Sequence, residues 1–205
     1  MKIIIFDGSF KTTTFINRLI EGLVNEHEVF VLGFNENTKI KIAGVHYIGL
    51  GSNTSIIKFI IRSLQLRGFN IVLQCKFFLQ LFNKEKNAIR SENIQMAINT
   101  IQPEIIHFQW VSVLSYLKNL KLPKHTKTIL SQRGYHINVR PFINQDNKVF
   151  LNEVFSKLDG FHSVSNAIQK KSNEIYTSPL KIDRVVYSGF DTDSFRFKNT
   201  WNTNK

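Results

Sequence analysis

The strongest constraint on the fold of this chain is an alternation between two kinds of segment. Short apolar runs rich in isoleucine and valine are separated by longer segments in which apolar residues recur with helical spacing. Strands buried on both faces of a parallel sheet read as continuous apolar runs, because helices cover both faces. The alternation therefore predicts an α/β fold built from βαβ units, with a Rossmann-like parallel sheet flanked by helices.

The same pattern places seven strands along the chain. The first is followed by a polar turn, Asp7–Lys11, and by a helix that carries Phe15, Leu19 and neighbouring apolar residues on one face. Pro103 ends the helix that precedes the fourth strand. The predicted strands are Lys2–Phe6, Glu28–Leu32, Val45–Ile48, Glu104–Trp110, Lys127–Ser131, Gly160–Ser163 and Arg184–Tyr187. They form one domain over residues 1–185, and residues 186–205 are too short and polar to form another.

Net charge and cysteine content limit the partners, the compartment and the metal sites that can be expected. The 205 residues include 27 Lys and Arg against 15 Asp and Glu, a net charge of +12, which favours an anionic partner such as a membrane surface or a phosphorylated ligand. No nucleic-acid recognition motif is present, so we expect no nucleic-acid partner. Cys75 is the single cysteine, which excludes an internal disulfide and favours a reducing compartment, and the spacing of Cys and His predicts no metal site.

Membrane-spanning and secretory segments are not expected. The apolar start of the chain is interrupted by Asp7, and charged residues break every run before the ~20 apolar residues that span a bilayer are reached. We therefore expect a cytoplasmic protein.

A basic and apolar segment lies between the third and fourth strands. In Ile56–Leu66 the polar residues form one narrow stripe on a helix otherwise covered by Ile, Phe and Leu, and Phe69–Phe82 predicts a second helix with a wider apolar face. Such helices suit the headgroup region of an anionic bilayer, which would place the protein peripherally on the inner face of the membrane. The alternative is that both helices pack on the sheet with their charges in water. The residues expected to contact the membrane are Lys58, Arg62, Arg67 and Lys76.

Common nucleotide and nucleophile motifs are incomplete. Gly49-Leu50-Gly51 lacks the third glycine of a dinucleotide fingerprint, and no P-loop and no Gly-x-Ser-x-Gly elbow is present. Ligand groups are instead predicted at the carboxyl ends of strands, where His107 lies near Gln109 and where Arg133 precedes Gly134. An arginine beside a glycine can present a guanidinium and backbone N–H groups to a phosphate or carboxylate. A structural histidine and an exposed arginine in a turn are the alternatives.

Several segments, taken in order, carry a resemblance to a known family, namely Thr14-Phe15-Ile16, Pro103–Trp110, Thr128–Pro141, Asp159–Ile168 and Val185–Phe195. Together they resemble the amino-terminal half of the retaining glycosyltransferases of family 4, which have the GT-B fold of two facing Rossmann-like domains. Thr14-Phe15-Ile16 matches the opening loop of that family. Pro103–Trp110, which reads PEIIHFQW, is similar to its P-D-I-I-H-x-H strand, with Gln109 in place of the second histidine. The remaining matches are Ser131, Arg133, Gly134 and Ile137 in the S-x-R-G-x-D-I loop, and the segments Asp159–Ile168 and Val185–Phe195.

The resemblance implies a function and a set of site residues. The complete enzyme would move a sugar from a nucleotide-sugar donor to the hydroxyl of a sugar or lipid-linked acceptor, in glycan or glycolipid biosynthesis, without a metal or other cofactor. This chain would be the acceptor-side domain, inactive alone, with residues 186–205 leading to a carboxyl-terminal donor-binding domain that it lacks. The implied catalytic residues are His107 and Gln109, and the implied substrate-binding residues are Gly8, Ser9, Phe10, Arg133 and Gly134. The rival function is a non-enzymatic basic α/β module that binds an anionic lipid or another anionic ligand.

Overall fold

The strands of this chain assemble into one parallel sheet. The computed structural model describes residues 1–10, 12–34 and 41–189. The strands are β1 (Lys2–Gly8), β2 (Glu28–Gly33), β3 (His46–Gly49), β4 (Ile105–Phe108), β5 (Lys127–Gln132), β6 (Gly160–Ser163) and β7 (Asp183–Val185). They form a seven-stranded sheet in the order β3-β2-β1-β4-β5-β6-β7, and every neighbouring pair is parallel. The predicted α/β class and all seven predicted strands are confirmed.

Helices connect the strands. They are α1 (Thr14–Val24), α2 (Ile56–Arg67), α3 (Ile71–Phe82), α4 (Lys86–Ile101), a 3₁₀ helix (Val111–Asn119), α5 (Tyr135–Asn138), α6 (Arg140–Ile143), α7 (Gln145–Phe155) and α8 (Asn166–Asn173). Several begin at a residue whose side-chain oxygen accepts a hydrogen bond from a backbone N–H three residues on, as Ser55, Asn70 and Ser165 do. The described chain contains no helix that is both long and apolar enough to cross a bilayer.

The core lies on both faces of the sheet. Alternate residues of β1 point to opposite faces, so Ile3 and Ile5 pack with Ile16 and Ile20 of α1, whereas Ile4 packs on the side of α4. The α4 residues in that second cluster are Ile94, Ala97, Ile98 and Ile101. Residues Asp191–Phe195, with most of the predicted linker 186–205, lie outside the described residues.

The prediction that Arg67 contacts a membrane is wrong. It is only 3% exposed, because α2 turns it toward α4, where its guanidinium donates to Asn93 Oδ1 at 2.8 Å and to Glu92 Oε2 at 3.0 Å. It also donates to the carbonyl oxygen of Ser63 at 2.8 Å. Lys76 Nζ lies 2.6 Å from Glu92 Oε1, so it belongs to the same cluster although its side chain is largely exposed. Arg67 therefore fastens α2 to α4.

We predict that Arg67→Met destabilises the fold by about 2–3 kcal/mol, because it leaves Asn93 Oδ1 buried without a donor and removes the hydrogen bonds of Arg67 to Glu92 and to the Ser63 carbonyl. Methionine preserves most of the packing volume, so the lost pairing dominates. Urea unfolding measures the free energy of unfolding. Lys58→Met, which replaces an exposed cation of the same helix, is the control and should change that free energy by less than about 0.5 kcal/mol. Equal effects of the two substitutions would contradict the proposed role of Arg67.

Candidate functional site

Polar side chains from four adjacent strands meet at the carboxyl edge of the sheet. Asp7 lies near the end of β1, His107 is in β4, Ser131 is in β5 and His162 is in β6. Ser131 is in register with His162, while His107 is in register with Ile129, two residues before Ser131. Parallel alignment brings these residues together, since carboxyl ends of parallel strands share one edge.

A chain of hydrogen bonds links the two histidines. His107 Nε2 lies 2.9 Å from Ser131 Oγ, Ser131 Oγ lies 3.1 Å from His162 Nδ1, and His162 Nε2 lies 3.0 Å from the carbonyl oxygen of Val186. A carbonyl oxygen only accepts, so His162 Nε2 carries the proton. In neutral His162 the Nδ1 atom then accepts from the Ser131 hydroxyl, and Ser131 Oγ accepts from His107 Nε2. The chain thus fixes the tautomers of both rings.

His107 is held neutral. Burial is the main cause that lowers its pKa, and electrostatic interaction with His162 and Arg133 lowers it further, to about 3. At neutral pH His107 is therefore a hydrogen-bond donor of fixed orientation and not a proton source. Its role as a catalytic residue stays a prediction, because its contact is with Ser131 and it reaches the solvent-facing part of the site through that hydroxyl and His162.

Arg133 is the centre of the site. Its guanidinium lies 4.1 Å from the ring centroid of Phe15 and 5.5 Å from that of Trp110, and its Nη2 donates to Gln109 Oε1 at 3.2 Å and to Ser131 Oγ at 3.3 Å. These contacts exclude the alternative of an exposed arginine in a turn. Burial lowers the pKa of Arg133 to about 10, and the carboxylate of Asp7 opposes that shift, so the guanidinium remains charged at neutral pH.

Arg133 retains unused donors. Among the described residues, Nε and Nη1 of Arg133 are buried and have no hydrogen-bond partner, and the same holds for Nε2 of Gln109. Gln109 itself is fully buried. A charged group with unpaired donors in a half-buried site is costly unless something else accepts from it. The chemistry of these three donors suits an anionic or hydroxyl-bearing ligand.

An open cavity of about 380 Å³ adjoins Arg133. Its lining comprises Phe15, Arg18, Leu19, Arg133, His162 and the segment Val186–Gly189. Arg18 supplies a second guanidinium there and donates to the carbonyl oxygen of Gly189 at 3.3 Å. The cavity therefore presents two cations, one imidazole and the hydroxyl-bearing residues Tyr187 and Ser188 beside apolar side chains, which suits a ligand with a polar or anionic part.

Asp7 anchors the loop that follows β1. Its carboxylate accepts hydrogen bonds from Trp110 Nε1 and from Ser9 Oγ, the latter at 3.3 Å. Burial raises the pKa of Asp7, although these hydrogen bonds and the charge of Arg133 oppose the shift. Asp7 thereby orients Trp110, one wall of the aromatic cage around Arg133.

The predicted substrate-binding loop after β1 is divided between the site and the core. Gly8 has φ of +82°, and a Cβ there would lie 2.8 Å from Val113 Cγ1, so glycine is required at this turn. Ser9 contacts Asp7. The prediction that Phe10 lines the site is wrong, because its ring is buried in the core, 5.8 Å from the ring of Tyr47. Gly134, at φ of +48°, precedes the short helix α5.

The structure also brings residues into the site that the sequence reasoning did not select. These are Asp7, Phe15, Arg18, Trp110, Ser131 and His162. For Asp7, Trp110, Ser131 and His162 the available signal was a position at or beyond the end of a strand, combined with the register of the parallel sheet. Phe15 and Arg18 lie on α1, and the strand pattern gave no signal for them. The described residues contain no group of three or more His, Cys, Asp or Glu side chains that could hold a metal ion.

Comparisons with known proteins identify the architecture. No protein-family model matches the chain, and no curated protein matches it. Among solved structures, it is similar to a sucrose-phosphate synthase from Thermosynechococcus elongatus, with a TM-score of 0.58 at 8% identity, over 94% of this chain and 49% of that one. It is also similar to the lipopolysaccharide outer core galactosyltransferase WaaB in its apo form, with a TM-score of 0.53 at 15% identity, over 91% of this chain and 45% of that one.

These likenesses confirm the Rossmann-like α/β architecture. At identities of 8% and 15% they concern the fold. The chain spans about half the length of each of these two proteins.

We predict that His107 makes the fold acid-sensitive. Its folded-state pKa of about 3 lies below the ordinary value of 6.5, so between these pH values the unfolded chain binds a proton that the folded chain excludes. Stability therefore falls as pH decreases through this window, by about 1.4 kcal/mol per pH unit. Urea unfolding at pH 7 and pH 5 should give a drop in stability that is about 2 kcal/mol smaller in His107→Gln than in the original chain.

His125→Gln is the control for this measurement, because His125 is exposed. It should leave the pH dependence unchanged. If His107→Gln and His125→Gln behave alike, His107 titrates freely in the folded chain and the buried arrangement described above is wrong.

Proposed function

We propose that this chain is the acceptor-side domain of a retaining glycosyltransferase of family 4. The enzyme moves a sugar from a nucleotide-sugar donor to the hydroxyl of a sugar or lipid-linked acceptor. The proposal is supported by the order of the motifs and by the fold, which resembles that of a sucrose-phosphate synthase and of a galactosyltransferase. It is also supported by the span of this chain, about half of each of those proteins.

One observation carries the proposal, namely the unpaired donors of Arg133 beside the cavity at the carboxyl edge of the sheet. In an open α/β sheet this edge is where ligands bind. A fixed guanidinium stabilises a developing negative charge, because the protein need not reorganise when the charge develops. Arg133 therefore neutralises either an anionic acceptor or the diphosphate that leaves the donor sugar.

The other site residues have supporting tasks in this proposal. Gln109 and Ser131 hold Arg133 by accepting from Nη2, and Asp7 holds Trp110. His107 remains neutral and orients Ser131. No strong base is needed from this domain, since the resemblance implies that the donor phosphate takes up the proton of the acceptor hydroxyl.

The donor site belongs, on this proposal, to a second domain that is not part of the 205 residues. The protein acts in the cytoplasm, at the inner face of the membrane, in glycan or glycolipid biosynthesis. Residues 186–205 lead from the first domain to the second.

We predict that Arg133→Ala lowers kcat/KM of the complete two-domain protein by roughly ten- to a thousandfold, equivalent to about 1.4–4 kcal/mol. Transfer of label from a panel of nucleotide-sugars to a lipid extract measures it. Near-ultraviolet circular dichroism monitors the folded fraction, because loss of the contacts with Phe15 and Trp110 also weakens packing. Arg133→Lys keeps the charge but loses the planar fork, and should be impaired as well.

Arg140→Ala, which removes an exposed arginine of α6, is the control and should retain full activity. If the two Arg133 variants lose activity only in step with their folded fraction, Arg133 is structural. If the complete protein transfers no sugar from any nucleotide-sugar, the non-enzymatic anion-binding module is the better function.

We also predict that residues 1–205 alone bind nucleotide-sugars weakly and transfer no sugar. Calorimetric titration with common nucleotide-sugars tests this. Dissociation constants in the millimolar range agree with a donor site in another domain. Micromolar binding would place the donor site within this chain.

A further inference from the structure

The helices α2 and α3 present apolar side chains to solvent. On α3 the exposed residues recur with helical spacing through three turns, and Val72, Leu79 and Phe82 are 78%, 66% and 86% exposed. On α2 and in the loop between the helices, Ile57 and Phe69 are likewise exposed. The full set, which we call the outer face, is Ile56, Ile57, Ile61, Phe69, Ile71, Val72, Phe78, Leu79 and Phe82.

The inner side of the same two helices combines the buried rings of Phe59 and Phe77 with several buried polar groups. Buried Ser63 and Arg67 of α2 hydrogen-bond to Asn93 of α4, and buried Gln80 of α3 donates to Glu92 of α4 at 2.8 Å. Their hydrogen bonds are well formed, since Asn93 Nδ2 donates to Ser63 Oγ at 2.9 Å and to the Leu50 carbonyl at 2.8 Å. This network specifies which side of each helix faces α4, because rotating a helix would leave buried polar groups unpaired. The exposure of the apolar side is therefore built into the fold.

The surroundings of the outer face are cationic. Residues 53–86 contain a single acid, Glu85, which lies between Lys84 and Lys86, and these two lysines and Lys58 are exposed beside the apolar side chains. Glu92, the nearby acid of α4, is occupied by Arg67 and Lys76. Within the described residues, the local charge is thus complementary to an anionic surface. A second copy of this chain would bring a matching positive charge, on a protein that already carries +12.

A small apolar cavity opens next to the outer face. It measures about 230 Å³ and is lined by Ile56, Phe59, Leu81, Lys84, Lys86 and Ile89. Lys86 Nζ lies 5.6 Å from the centroid of the Phe59 ring. An apolar interior bordered by two ammonium groups matches the chemistry of an acyl chain joined to an anionic headgroup.

We propose that the outer face inserts into the boundary between headgroups and acyl chains of an anionic phospholipid bilayer, with Lys58, Lys84 and Lys86 at the phosphates. Helices that combine a wide apolar side with basic flanks bind in this way. The apolar side chains supply most of the affinity, and the lysines supply the preference for anionic lipid. The proposal does not depend on sugar transfer.

Co-sedimentation of the 205-residue chain with vesicles tests the proposal. We expect binding to phosphatidylcholine vesicles that contain roughly one-third phosphatidylglycerol, and much weaker binding to pure phosphatidylcholine. Raising the salt from about 0.1 M to about 1 M should weaken but not abolish binding, because screening acts on the charges only. The triple variant Val72→Ser, Leu79→Ser, Phe82→Ser should reduce partitioning at least about a hundredfold.

Matched variants make the result specific. Ile143→Ser, Val149→Ser, Leu180→Ser replaces three residues that are similarly exposed elsewhere and should bind vesicles like the original chain. Lys58→Glu and Lys84→Glu should each weaken binding to the anionic vesicles about fivefold or more. Both substitutions should leave the free energy of unfolding unchanged.

Two outcomes would overturn the proposal. The first is equal binding of the two triple variants. The second is absence of vesicle binding. If sedimentation equilibrium then finds a dimer that is lost in the outer-face triple variant, a second copy of the chain covers this face. Neither outcome affects the activity test on Arg133.

Discussion

A sheet whose seven strands all run in one direction must place every carboxyl end along the same edge, and the rest of this structure depends on that constraint. Asp7, His107, Ser131 and His162 come from distant parts of the chain, yet the register of β1, β4, β5 and β6 brings them to that edge. The helices then cover both faces of the sheet with apolar side chains, which leaves this edge as the place where polar groups collect. The candidate site is thus a product of the topology.

Burial of an arginine has different consequences at the sheet edge, around Arg133, and beneath α2 and α3, around Arg67. At the sheet edge it isolates a charged guanidinium between Phe15 and Trp110 while leaving two of its donors without partners, so the site is prepared for a ligand. Beneath α2 and α3 it encloses Arg67, whose terminal nitrogens donate to Asn93 and Glu92, while its Nε has no partner. These hydrogen bonds hold α2 against α4, and the apolar side of α2 and α3 faces outward. One arginine prepares a binding site, and the other orients a surface.

The sequence permits prediction of the strands and of part of the site. Continuous apolar runs identify strands because burial on both faces imposes them, and the position after a strand end identifies Arg133. It does not distinguish Arg67, which is buried, from Lys58, which is exposed, because the partners of Arg67 lie on α4, more than one helix away in the chain. Phe10 lies next to a site loop but packs in the core. His162 becomes a site residue only through its register with Ser131.

The central claim is that Arg133 holds unpaired donors ready for an anionic or hydroxyl-bearing ligand, and nuclear magnetic resonance of the arginine side chains tests it most directly. The Nε–H signal of Arg133, assigned by its loss in Arg133→Lys, is followed as inorganic pyrophosphate is added to the 205-residue chain. The account predicts a saturable shift of this signal, together with that of Arg18 at the same cavity, while Arg140 stays unchanged. A uniform drift of all arginine signals, or no change at Arg133, would contradict it.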